Sequence, residues 1–210
     1  AWGLVGSEMC IRDRYSTIGI PGVVAGLIKL HEENGVLDLK TVMEPSISLA
    51  EDGFYLYPGE IKRQQSDKEK IESFEGTKLY FLNSEGESFR PGDKLVQKDL
   101  ANTLKIISSE GKKGFYEGYV AESIENDMKK NGGLITRADL KNYNPVWRLP
   151  LISNYRGNKV ITMGPPSSGG VHIIQMLNVL ENYQLNSYVH NSAEYINILG
   201  EVMKHAYSDR

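Results

Sequence analysis

Lys159-Val-Ile-Thr-Met-Gly164-Pro-Pro-Ser-Ser-Gly-Gly170-Val-His-Ile-Ile-Gln-Met-Leu177 changes its hydrophobic period part-way along. Lys159 to Met163 alternates as a strand does. From Val171 to Tyr183 the apolar residues Ile173, Ile174, Met176, Leu177 and Leu180 follow helical spacing. Between them, two prolines and three glycines stop one pattern before the other begins. The stretch therefore reads as strand, rigid corner, helix. It predicts a chain that mixes strands and helices.

Working outward, Val146 to Tyr155 reads as a second strand, joined to the first by a turn at Arg156-Gly157-Asn158. Ser192 to Tyr207 reads as a helix. Upstream, helices are expected over Gly22–Gly35, from Asp38 until Pro45 breaks it, over Gln97–Glu110 and over Phe115–Lys130. In the last of these, Phe115, Tyr119, Ile124 and Met128 are expected to share a face. Thr136-Arg-Ala-Asp139 has the spacing of a capping box and predicts a short helix over 137–143. Leu79 to Leu82 is expected to be a short strand, and the charged stretch 57–73 an exposed helix or excursion. The class is helix-rich α+β.

The chemistry on offer is thin. The corner Gly164–Gly170 presents backbone N–H groups at a helix start, where anions can bind. A phosphate loop also needs Lys and Ser/Thr after its last glycine, and here Gly170 and Val171 stand there. Ser167 and Ser168 are candidate nucleophiles, but the loop lacks the G-x-S-x-G elbow, and a serine needs a base in reach. His172 is near in sequence, yet its spacing does not place it on either hydroxyl. Helix capping is the stronger reading of these serines. His31-Glu32-Glu33 lacks the second histidine of a zinc helix, and His172, His190 and His205 are scattered, so no metal site is expected. No cofactor is expected either.

The 24 basic and 27 acidic side chains give a net charge of −3, with no basic excess to neutralise phosphates. No apolar run reaches the ~18 residues that span a bilayer. Leu4 to Arg14 resembles the translation of a sequencing-adapter oligonucleotide, so residues 1–14 are set apart as an adapter artefact without a fold, and 15–210 are taken as one partial domain. Cys10, the only cysteine, falls in that stretch, leaving no thiol chemistry.

Eight stretches, in order, resemble one family. They are Ile20-Pro-Gly-Val-Val-Ala-Gly26, Glu44–Phe54, Leu95–Leu104, Gly114-Phe-Tyr-Glu-Gly118, Asn131–Thr136, Asp139–Tyr143, Tyr155-Arg-Gly157 with Pro165-Pro-Ser-Ser-Gly-Gly170, and Ala206-Tyr-Ser-Asp-Arg210. The family is the γ-glutamyltransferases, also called γ-glutamyltranspeptidases or glutathione hydrolases. The resemblance implies part of the large subunit of an N-terminal-nucleophile hydrolase with an αββα sandwich. It implies a precursor that cleaves itself, and a small-subunit N-terminal Thr that attacks the γ-glutamyl amide of glutathione and passes the acyl group to water or to an amino acid or peptide amine. It further implies the small subunit as partner and a periplasmic or extracellular site of action.

In the family that Thr lies in a Thr-Thr-His-type motif, expected beyond Arg210, and the substrate-carboxylate Arg is expected ahead of residue 15. Thr103, Thr136 and Thr162 lie in no such motif. No catalytic residue is therefore carried over to this chain, which alone is expected to be inactive. The signature loop Pro165, Pro166, Ser167, Ser168, Gly169 and Gly170 is expected to be structural. A cephalosporin-acylase-like relative and a non-catalytic helical binding or scaffold protein are the alternatives.

Overall fold

The computed structural model describes residues 15–209, and the stretch 1–14 read as adapter-derived lies outside them. The chain divides into two compact units, one ending at Pro145 and the other beginning at Val146.

In the first unit, α1 (Val23–Asn34) follows a 3-10 turn at Tyr15–Thr17. Then α2 (Leu39–Asp52) starts at Asp38, whose carboxylate accepts the Thr41 N–H at 2.9 Å. That carboxyl is held below the usual range, chiefly by the Thr41 N–H and then by the Thr41 hydroxyl. The expected break at Pro45 is absent, and α2 runs through it. An interior proline costs about 3 kcal/mol. Ile47 and Ala50, beyond the proline, are buried, and a fully buried Ile alone returns about 1.5–3 kcal/mol. Packing of α2 along α6 (Lys98–Glu110) thus offsets the lost hydrogen bond.

Two-residue strands β1 (Phe54–Tyr55) and β2 (Lys94–Leu95) pair antiparallel, with Phe54 opposite Leu95. They close a charged excursion of three helices, α3 (Pro58–Ser66), α4 (Lys68–Glu72) and α5 (Glu75–Phe81). Leu56, Ile61 and Leu95 give it a small core of its own, flanked by Phe54 and Phe89. The strand expected at Leu79–Leu82 is instead the end of α5, and Leu82 makes only an isolated bridge to Ser88. A four-residue apolar run fits one helical turn as well as a strand.

The helix expected over Phe115–Lys130 is two helices, α7 (Lys112–Tyr116) and α8 (Gly118–Asn131). Gly118 turns the chain between them with a φ of 74°, open to glycine and costly for other residues. The break shifts the register. Tyr119 is 73% exposed, while Tyr116 is 1% exposed. Tyr116, Ala121 and Met128 join Ala25, Ile135 and Leu140 in the main core. The short α9 (Arg137–Asn142) closes the unit with the expected capping box: the Thr136 N–H donates to Asp139 at 2.9 Å, and the Asp139 N–H to the Thr136 hydroxyl at 3.2 Å.

The second unit is a hairpin and two helices. Strands β3 (Leu151–Tyr155) and β4 (Asn158–Thr162) pair antiparallel around Arg156-Gly157. Both turn residues have positive φ, 50° and 79°, which suits a tight two-residue hairpin. Strand β3 begins at Leu151, just after Pro150, and not at Val146; proline cannot donate to a ladder. Helices α10 (Ser168–Leu180) and α11 (Ala193–Ser208) pack on each other, and α10 also packs on β3. The Ser192 hydroxyl caps α11 by accepting the Tyr195 N–H at 3.2 Å.

Candidate functional site

The strand-to-helix corner follows directly on β4. Met163 and Gly164 leave the strand, Pro165-Pro166 is cis, and the Ser167 N–H turns back to the Gly164 carbonyl at 3.2 Å. Helix α10 starts at Ser168, three residues before the expected Val171. A side chain on Gly170 would place its Cβ 2.0 Å from the Met163 carbonyl oxygen and 2.7 Å from the Thr162 hydroxyl. Only glycine lets the first turn of α10 lie against the end of β4. Gly169 is different, since its nearest contact would be the Ser167 hydroxyl at 3.5 Å.

Among the described residues, neither serine hydroxyl is bonded to a base. Ser167 occupies the N-cap position expected for it, but its side chain makes no capping bond. His172 is buried one turn on, with Nδ1 against the carbonyl of Ser168 rather than either hydroxyl. A carbonyl only accepts, so Nδ1 carries the proton there. The ring stacks on Tyr207 with centroids 5.9 Å apart.

The other end of α10 is held by the hairpin turn. The Arg156 N–H donates to Glu181 at 3.1 Å. Its guanidinium donates to the carbonyls of Leu180, at 3.4 Å, and Tyr183, and lies 5.2 Å from the Tyr155 ring centre. A cation on the last carbonyls of a helix satisfies orphan acceptors and opposes the helix dipole. Tyr155-Arg-Gly157 and Pro165–Gly170 thus fasten the two ends of one helix to one hairpin. The sequence offered one clue to Arg156: a non-glycine residue at a turn position that demands positive φ.

A second convergence lies in the first unit. The Tyr116 hydroxyl donates to the Pro21 carbonyl at 2.5 Å and accepts the Ala25 N–H at 3.1 Å. Burial pushes this phenol above its ordinary range, and Tyr143 adds to the effect. The Tyr143 ring stacks on Tyr116 at 5.8 Å and 12°. A Cβ on Gly22 would meet the Tyr143 hydroxyl at 2.2 Å. Three of the quoted stretches meet here, all through packing and backbone bonds. Sequence reading missed Tyr116 and Tyr143 because their partners are remote in sequence.

The clefts hold little chemistry. One in the second unit, of about 570 Å³, is lined by Arg148–Pro150 and Ile161–Pro166, with Arg148 its one charged group. One between α2 and α6, of about 410 Å³, is lined by Lys40, Glu44, Glu51, Asp52 and Lys105, with Lys105 paired to Glu51. Among the described residues no three or more His, Cys, Asp or Glu converge as a metal would need, and no helix is long and apolar enough to cross a membrane.

The family described as Gamma-glutamyltranspeptidase matches residues 6–210. The chain belongs to the γ-glutamyltranspeptidase family. A glutathione hydrolase proenzyme of Escherichia coli (strain K12) is 43% identical over 195 residues, covering 91% of this chain and 33% of that protein. An acylase ACY 1 proenzyme of Pseudomonas sp. (strain SE83) is 36% identical over 211 residues, covering 98% of this chain and 38% of that protein. The crystal structure of Helicobacter pylori γ-glutamyltranspeptidase superposes with a TM-score of 0.92 at 43% identity, over 95% of this chain and 58% of that one. This member of the γ-glutamyltranspeptidase family thus spans about a third of the length of these curated relatives. Its helix-rich α+β layout is part of the γ-glutamyltranspeptidase fold. The hydrolase is the more similar of the two curated relatives, so the acylase reading is not favoured.

Proposed function

We propose that residues 15–210 are scaffolding from the large subunit of a γ-glutamyltransferase, and that the nucleophile comes from outside this stretch. In this reading the whole protein is a precursor that cleaves itself. The N-terminal Thr of the small subunit then attacks the γ-glutamyl amide of glutathione, with its own α-amine as base. Backbone N–H donors stabilise the oxyanion. The amine leaves, and water or an amino acid or peptide amine takes the γ-glutamyl group from the threonine oxygen. The small subunit of the same precursor is the partner, and the periplasm or the exterior is the compartment.

The observation that carries this reading is the 43% identity, across 91% of the chain, to a protein named glutathione hydrolase proenzyme. The geometry supports the scaffolding role. Gly170 admits no side chain, Arg156 caps α10, and His172 faces a backbone carbonyl. In this reading the loop Pro165–Gly170 is a structural corner and contributes no reacting group. Residues 1–14 are adapter-derived in this reading, and 15–210 are a partial large-subunit domain.

The test is to incubate the purified chain with a γ-glutamyl anilide and follow anilide release. Release at the rate of buffer alone is expected. Turnover that disappears in Ser167→Ala or Ser168→Ala would overturn the scaffolding role.

A further inference from the structure

We draw no further inference here: the strongest candidate, the apolar face of the β3–β4 hairpin where Ile152 (59% exposed) and its register partner Ile161 (60% exposed) stand side by side, carries nothing because nothing in the structure shows what covers it.

Discussion

The hydroxyl of Tyr116 donates to the carbonyl of Pro21 at 2.5 Å, across 95 residues of sequence. The same oxygen accepts the Ala25 N–H, so one phenol holds the entry to α1 against α7. Tyr116→Phe removes the donor and the acceptor together and leaves two backbone groups unpartnered. An unsatisfied buried group costs about 1–3 kcal/mol. The variant is expected to unfold at clearly lower urea, with an unchanged slope. An unchanged midpoint would show that the bond does not stabilise the fold.

Gly22→Ala brings a methyl to 2.2 Å from the Tyr143 hydroxyl. Overpacking of this kind costs about 1–3 kcal/mol. Tyr143→Phe removes the nearest atom, though the ring carbon behind it would still lie at 2.8 Å. The double variant is therefore expected to be more stable than the two single costs predict, and a double-mutant cycle measures the coupling. Strict additivity would contradict the contact.

Gly170 and Gly169 are adjacent and should behave oppositely. At Gly170 the obstacle is the Met163 carbonyl at 2.0 Å, which cannot turn aside as a side chain can. Gly170→Ala is expected to cost more than about 2 kcal/mol, within the range known for overpacked sites. Gly169 lies in the first turn of α10 with its nearest contact at 3.5 Å. Gly169→Ala is expected to be neutral, or stabilising by up to about 1 kcal/mol through helix propensity. Thermal unfolding of the two variants side by side checks the contrast.

Arg156→Ala takes the guanidinium from the carbonyls of Leu180 and Tyr183. A loss of up to about 1.5–3 kcal/mol is expected, the worth of a charge-assisted hydrogen bond. Arg156→Lys keeps the charge but not the planar fork, so it should recover only part of that. Full recovery by lysine would mean that charge alone, and not the two-carbonyl geometry, holds the helix end. Urea denaturation of the three proteins separates these outcomes.

The division into helices and strands was legible wherever the pattern was long or the cap chemistry explicit. Asp38, Thr136 with Asp139, and Ser192 all start helices as read. Arg156-Gly157 turns the expected hairpin. Failures came where tertiary packing overrode a local rule. Pro45 sits inside α2 because the buried residues beyond it hold the helix together. Gly118 breaks a pattern that periodicity alone joins. Strands β1 and β2 are two residues each, too short for any alternation to show. The signature stretches were visible as words, but their meeting points were not. Periodicity reports which residues share a face of one element. It says nothing of a tyrosine reaching a carbonyl 95 residues away.

The most direct test replaces the matching stretch of the E. coli glutathione hydrolase proenzyme, 43% identical over 195 residues, with residues 15–210 of this chain. If these residues are γ-glutamyltransferase scaffolding, the chimera splits into two polypeptides and releases anilide from a γ-glutamyl anilide. A chimera with the circular-dichroism signal and melting behaviour of the parent, yet unsplit and inactive, would contradict that account.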